Sequence, residues 1–452
     1  MALTAFKAGT LISIAIIYIA FYYRPTSDVE LKERLQLVLD GLVKVEKQFS
    51  VRPATRVAVG YGACKDLFVD GKLMFEYNDH ANKPEHFDDL NTRVQVLKTY
   101  AYFFRHGAAA ERYITNSSLF EELVQDAIEV PGAHFALGGN APVMASRFVA
   151  EGCEVLLAAK MTPDLQKHLP EAIKVVGGDV EEDDIHLILE YKAGETWGRY
   201  TANRANRFIV HNDANNPLVR SLEPLGSVLE EFSPRLLVVM PRSTQVHFEM
   251  ASFAEPELLQ QLTNYVVPYA DSLGMNEQEL PNLLSMLKYG NLSLVSDSNP
   301  RVASVLDQMR QLYSLLVDEW DSPQERRLSR IHVHTLAYQA ILTSKGAGWQ
   351  NSRAAAAKAS LTAHRHVCGT PQVNVDRARL LLDDSFSASL REGSQRVLVD
   401  SVQPVSCWEE QIGSGSEGQV EICVAPVLVC TKAHQTAGGG DNISAAGLVL
   451  QI

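Results

Sequence analysis

The sequence predicts an α/β fold with a mainly parallel central sheet, and three patterns predict it. Apolar, β-rich runs alternate with helix-length segments, as strand–helix–strand units require. Several runs are almost continuously apolar rather than alternating, which suits strands buried on both faces. The chain has 452 residues, 46% of them apolar, enough for roughly two to three domain-sized units around their own cores.

The strands read in order as Arg56–Gly60, Glu154–Ala159, His186–Tyr191, Leu236–Met240, Val246–Met250 and Ile331–Leu336. Helices are predicted over Ser118–Ile128, Pro256–Leu262, Arg353–Arg365 and Asp441–Leu450. Pro256 suits a first helical turn, where its missing N–H costs little. Gly413–Glu417 reads as an exposed turn. One join breaks the alternation. Only Pro241–Gln245 separates two strand-like runs, whereas a parallel crossover takes a dozen or more residues. Either the two strands form an antiparallel hairpin or a connecting helix is missing.

The extreme N-terminus differs from the rest. Lys7 precedes an apolar run from Ala8 to Tyr23, and Arg24-Pro25 ends it. A basic residue followed by a short apolar core reads as a signal sequence or membrane anchor over residues 1–25. The run is shorter than the ~20 residues of a comfortable span. This segment predicts entry into the secretory route, the endoplasmic reticulum or the exterior, and is the only expected membrane contact. The net charge is −13, which argues against nucleic acid as a partner because phosphate backbones want a basic face. Six scattered cysteines without CxxC spacing do not support structural zinc. In an oxidising compartment they allow a bridge or two, with no pairing readable. Asn116, Asn291 and Asn442 each open an N-x-S glycosylation pattern, and Asn442 is expected to be unused because it adjoins the strongest motif.

That motif is Gly438-Gly439-Gly440-Asp441. Three glycines let backbone N–H groups approach an anion, and a helix beginning there adds its positive dipole end. Asp441 is placed to accept the proton of an attacking hydroxyl, the arrangement phosphoryl transfer uses. The run is equally readable as a glycine turn with an Asp cap. Asn276 and Glu279, three apart, would share a helix face and suit a hydrated Mg²⁺, or else form a capping box. Glu249 lies within an apolar strand, where a carboxylate needs a partner or an ion. Glu111, after Gly107 and three alanines, has room for a ligand beside it, but Glu111-Arg112 also reads as a helical ion pair. Gly138-Gly139-Asn140 is a backbone platform for a sugar or a plain turn.

Taken together, these motifs resemble the animal ADP-dependent glucokinases, a branch of the ADP-dependent sugar kinases. The resemblance runs from about Arg56 to the C-terminus. It is carried by Gly107–Arg112, Gly138–Ala141, His186–Tyr191, Ala205–Ile209, His247–Glu249, Leu273–Leu280, Arg330–Thr335 and Gly438–Asp441. It implies a ribokinase-like large domain over about 50–66, 129–185 and 211–452, and a smaller α/β lid over about 67–128 and 186–210. It implies phosphorylation of D-glucose by ADP with Mg²⁺, releasing AMP, in a monomer. Asp441 is then the general base and Gly438, Gly439 and Gly440 the anion hole. Glu249, Glu279 and Asp441 order the metal, and Arg207 contacts phosphate. Asp66, Glu111, Gly138, Gly139 and Asn140 form the sugar site, with Glu111 favouring glucose over a sugar phosphate.

The chain departs from that pattern twice. Gly62 stands where the family has an Asn before the sugar-site Asp, a lost hydrogen bond of about 1 kcal/mol. The short join at Met240-Pro241 lacks roughly 25 to 30 residues, one βαβ connection. A chain missing that crossover is expected to fold poorly over 236–250 and to lose activity. The alternatives are such an impaired, nucleotide-binding relative, or a kinase of the same fold using another donor or sugar.

Overall fold

The computed structural model describes residues 29–79, 83–232, 236–237, 244–251, 255–292, 297, 299–318, 326–412 and 418–452. The apolar segment of residues 1–25 and the Gly413–Glu417 turn lie outside these. Among the described residues, no helix is long and apolar enough to cross a membrane.

Two sheets organise the chain. The larger has ten strands, in the spatial order Ser406–Gln411, Gln419–Pro426, Tyr338–Ser344, Arg330–His334, Ser272–Asn276, Gln245–Glu249, Leu236–Leu237, Arg56–Gly60, Glu154–Ala158 and Ile173–Val176. The seven from Arg330–His334 onward pair in parallel. The three at the opposite edge are antiparallel. Helices cover both faces, as a buried parallel sheet demands. One face packs on residues 29–46, Asn140–Ala150, Ser352–Cys368 and Gly439–Val449, through Leu42, Phe148, Ala356 and Leu448. The other packs on Glu279–Tyr289 and Val302–Asp318, through Leu283, Leu306 and Met309.

The smaller sheet has the order Ala110–Tyr113, Asn206–His211, Ile185–Tyr191, Cys64–Asp70 and His134–Gly138. Helices Arg93–His106 and Ser117–Glu129 cover one of its faces, with Leu67, Val69, Leu187, Leu189, Phe208 and Val210 pointing into them. The other face looks toward the Gly438–Gly440 segment, where Phe68 and Ile188 meet Ala437. His134–Gly138 differs from the expected division. The resemblance puts residues 129–185 in the large unit, yet this strand pairs with Cys64–Asp70 in the smaller sheet.

The join at residues 236–250 is not a hairpin. Leu236–Leu237 and Gln245–Glu249 pair in parallel, Leu236 opposite Gln245 and Leu237 opposite Val246. A connection this short has no room for a crossover helix, and its residues 238–243 lie outside the described set. The strand Ile331–Leu336 is observed as Arg330–His334, and the C-terminal helix begins at Gly439, two residues before the expected Asp441.

Candidate active site

The functional side chains converge because each sheet contributes one kind of position. In the smaller sheet, side chains alternate between faces. The residues that alternate with the buried set, among them Asp66, His186, Arg207 and His211, therefore share the face away from the helices. Glu111 joins them from the next strand, opposite Ile209. In the larger sheet, Glu249, Asn276 and His334 are the last residues of three adjacent parallel strands. The carboxyl ends of such strands are where α/β folds bind ligands. One cavity of about 510 Å³ is lined by Asp66, Glu111, His186 and Arg207 of the first group and by all three of the second, together with Gly138's neighbours Gly139 and Asn140, Glu279, and Gly438–Asp441.

Two glycines make this convergence sterically possible. Gly138 ends its strand against Asp66, and a β-carbon on it would stand 2.0 Å from Asp66 Oδ1. Gly438 has φ +66° as the residue before helix Gly439–Val449, a left-handed conformation glycine adopts without strain. In the helix that follows, Gly439 N–H donates to the Thr436 carbonyl at 3.3 Å, and the rest of the first turn, with its positive dipole end, borders the cavity. The space beside Gly62 is filled from elsewhere. Asn216 Oδ1 would lie 3.1 Å from a β-carbon there; it accepts from Ala63 N at 3.0 Å while Asn216 Nδ2 donates to Asp213.

The carboxylates have distinct environments. Burial would raise the Glu249 carboxyl, but His247 Nε2 at 3.1 Å and His334 Nε2 at 2.8 Å hold it well below the usual range. The partner required of this buried acid is thus a pair of imidazoles. Asp441 goes the other way. Burial and then the neighbouring Glu249 charge push it up to about 7, against the opposing charges of Arg207 and His334. Asp66 is raised to about 6 by burial, partly offset by His186 and Arg207. Arg207 Nε has no hydrogen-bond partner among the described residues, leaving a donor free for an anion. Glu249, Glu279 and Asp441 place hard oxygen donors around one cavity, a set that fits Mg²⁺ and whose mutual repulsion a dication would relieve.

Two expectations need correction. Asn276 and Glu279 do not share a helix face, because Asn276 ends a strand and the helix starts at Glu279. They bond reciprocally instead: Asn276 Oδ1 accepts from Gln278 and Glu279 N, while Glu279 accepts from Asn276 N and Nδ2, each at 2.8–2.9 Å. That is capping-box chemistry, and it still leaves Glu279 lining the cavity. Glu111-Arg112 is not a helical ion pair either. Both lie on a strand; Glu111 faces the cavity and Arg112 is fully buried on the opposite face, donating to the Phe87 and Glu111 carbonyls.

The sequence reading gave no role to His186, His247 or His334. Each sat inside a quoted motif, and each occupies the polar beat of a strand's two-residue alternation or its carboxyl end. Thr436 was also passed over; its hydroxyl donates to Glu190 Oε1 at 3.1 Å, tying the glycine segment to the smaller sheet. Four cysteines form the disulfides Cys368–Cys430 and Cys407–Cys423, while Cys64 and Cys153 are buried thiols.

A sequence profile of the ADP-specific phosphofructokinase/glucokinase conserved region matches residues 55–240 and 235–450. The two matched segments meet at the short join. The chain is 35% identical to the ADP-dependent glucokinase of Bos taurus, covering 92% of this chain and 87% of the relative. It is 28% identical to a probable ADP-dependent glucokinase of Caenorhabditis elegans, over 87% and 84% of the two chains. Among solved structures, an ADP-dependent kinase in complex with fructose-6-phosphate and ADPβS superposes with a TM-score of 0.60 at 16% identity, over 93% of this chain and 97% of that one. This likeness shows the fold, which is ribokinase-like with a mainly parallel sheet.

Proposed function

The chain belongs to the ADP-specific phosphofructokinase and glucokinase family, a family of phosphotransferases acting on sugar hydroxyls, and from that premise we propose that it phosphorylates D-glucose at the 6-hydroxyl, using ADP and releasing AMP. One observation carries the reading. Asp441 stands at the start of a helix in a cavity it shares with Arg207, Asp66 and Glu111. Its carboxyl, raised to about 7, suits a general base working near neutral pH.

In this mechanism Asp66 and Glu111 accept hydrogen bonds from the sugar hydroxyls and the Asn140 amide donates to them, over the backbone of Gly138 and Gly139. The 6-oxygen attacks the β-phosphorus of ADP as its proton passes to Asp441. The new O–P bond forms as the bond to the bridging oxygen breaks, and AMP leaves with that electron pair. Gly438, Gly439 and Gly440 offer N–H groups, and Arg207 its guanidinium, to the charge on the transferred group. Glu249, Glu279 and Asp441 would hold Mg²⁺, which when bound would neutralise phosphate charge. His247 and His334 keep Glu249 ionised and oriented for that task. The apolar end of the cavity, with Val367, Leu381, Val427 and Ile443, receives the base. Glu111 supports glucose over a phosphorylated sugar, because a carboxylate repels a bound phosphate. The lid of residues 67–128 and 186–210 excludes water, which would otherwise take the phosphoryl group. The two disulfides support residence in an oxidising compartment, in keeping with a secretory route for this chain as a monomer.

Initial rates over the four combinations of ADP or ATP with glucose or fructose 6-phosphate test this reading; ADP with glucose is expected to lead. A second reading is favoured by the join between Leu237 and Gln245. A chain lacking the crossover there binds AMP and turns over slowly. Tight AMP binding with glucose phosphorylation near background would support that version instead.

A further inference from the structure

The smaller sheet carries a row of metal-ligating side chains that the phosphoryl-transfer chemistry does not use as such. Glu111, His186 and His211 offer one ligand atom each within 4.8 Å of one another. They come from three adjacent strands, with His186 directly opposite His211. Their imidazole rings lie 4.7 Å apart. All three remain reachable, with side chains 31%, 15% and 18% exposed for Glu111, His186 and His211.

Behind them stands a carboxylate that hydrogen-bonds the His186 ring and lies within ion-pair distance of the His211 ring. Asp213 Oδ1 is 3.0 Å from His186 Nε2 and 3.1 Å from His211 Nδ1. Asp213 is itself fixed by Asn216 Nδ2 at 2.8 Å. On His186 that carboxylate takes one ring nitrogen and leaves Nδ1 as the other, the arrangement that supports histidine ligands in metal sites. The outward nitrogen of His211, Nε2, is 3.5 Å from Glu111 Oε1.

We propose that Glu111, His186 and His211 form a second cation site, for a borderline transition-metal ion such as Zn²⁺, and that its occupancy excludes the sugar. Two imidazoles and a carboxylate are a three-ligand set that leaves zinc one open position. The set discriminates by chemistry, since Mg²⁺ prefers oxygen donors in octahedral array while nitrogen ligands favour zinc over magnesium. Reaching zinc–nitrogen bonds of about 2.0–2.1 Å asks the three side chains to draw together, and Glu111 is the most exposed and the freest to move. The cation site stands on its own geometry. Its competition with sugar rests on the reading that Glu111 belongs to the sugar site.

Zinc K-edge absorption on the full chain, with Mg²⁺ in excess to occupy the oxygen-rich site, tests the coordination directly. One zinc with two imidazoles and no sulfur is expected. A shell of oxygens only, or one containing sulfur from Cys64, overturns the site. Calorimetric titration with Zn²⁺ is expected to show affinity at least tenfold weaker in His211→Gln and 10- to 100-fold weaker in Asp213→Asn; unchanged affinity in both overturns it. Saturating glucose is expected to displace the zinc. If glucose binds and the zinc stays, the competition is wrong. If glucose does not bind even without zinc, the sugar-site reading has failed and the cation site stands.

Discussion

Asp66 lies against Gly138 so closely that a β-carbon on Gly138 would stand 2.0 Å from Asp66 Oδ1. The glycine is there to make room for an acid. Gly138→Ala must therefore push Asp66 aside, in a cavity where both residues' neighbours converge. The KM for glucose is expected to rise at least tenfold while the KM for ADP stays within about twofold, as separate titrations of the two substrates in a coupled assay would show. Equal loss for both substrates would point to general damage.

Asp441 must be ionised to take a proton, and its carboxyl is raised to about 7 by burial and by Glu249. The rate constant kcat/KM is thus expected to fall as pH drops below about 7. Because a cation favours the ionised carboxylate, raising Mg²⁺ should move that limb to lower pH. Asp441→Asn removes the base altogether and should cost on the order of 10²–10⁴-fold in kcat, with nucleotide binding retained by calorimetry. Full activity in that variant would remove Asp441 from the role.

His334 Nε2 donates to Glu249 Oε1 at 2.8 Å. His334→Phe takes away that donor and leaves one oxygen of a buried acid unsupported. The expected result is a 10- to 100-fold loss in divalent-cation affinity, read without turnover as Mn²⁺ binding by electron paramagnetic resonance. His334→Gln, which keeps an N–H donor, should recover part of it.

The Asp213 cluster makes stability depend on pH. Burial alone would lower the pKa of His186, but the hydrogen bond and charge of Asp213 raise it to about 9. Asp213 is held well below its ordinary value, because hydrogen bonds to His186 and His211 outweigh its burial. The His186 contribution is full below its unfolded pKa of about 6.5 and disappears as pH climbs through 9. The Asp213 contribution is present above about 4 and fades in acid. Asp213→Asn should therefore destabilise most between pH 4 and 6.5, by roughly 3 kcal/mol, and least above pH 9.5. Thermal melts at pH 6 and 9.5 give the comparison.

The parts of the fold that were legible in the sequence were those written in local pattern. The apolar runs of Glu154–Ala158 and Ile185–Tyr191 announce strands by themselves, and Gly438–Asp441 announces a helix start. The less legible parts depend on what a residue meets far along the chain. His134–Gly138 joins the smaller sheet because Cys64–Asp70 offers it an edge, which no local signal encodes. The hairpin alternative at residues 236–250 failed similarly, since strand direction is fixed by neighbours on either side, Arg56–Gly60 and Ser272–Asn276. Asn276 and Glu279 have a spacing of three that fits a helix face and a capping box equally well. Burial of Glu249 was predictable, but its two imidazole partners come from its own strand and from one 85 residues away.

The central claim is most directly tested by following ADP and D-glucose by phosphorus nuclear magnetic resonance with the purified 452-residue chain and Mg²⁺. The account predicts that the two ADP resonances give way, one for one, to those of AMP and glucose 6-phosphate. Conversion of ATP but not ADP, or of fructose 6-phosphate in preference to glucose, would contradict it.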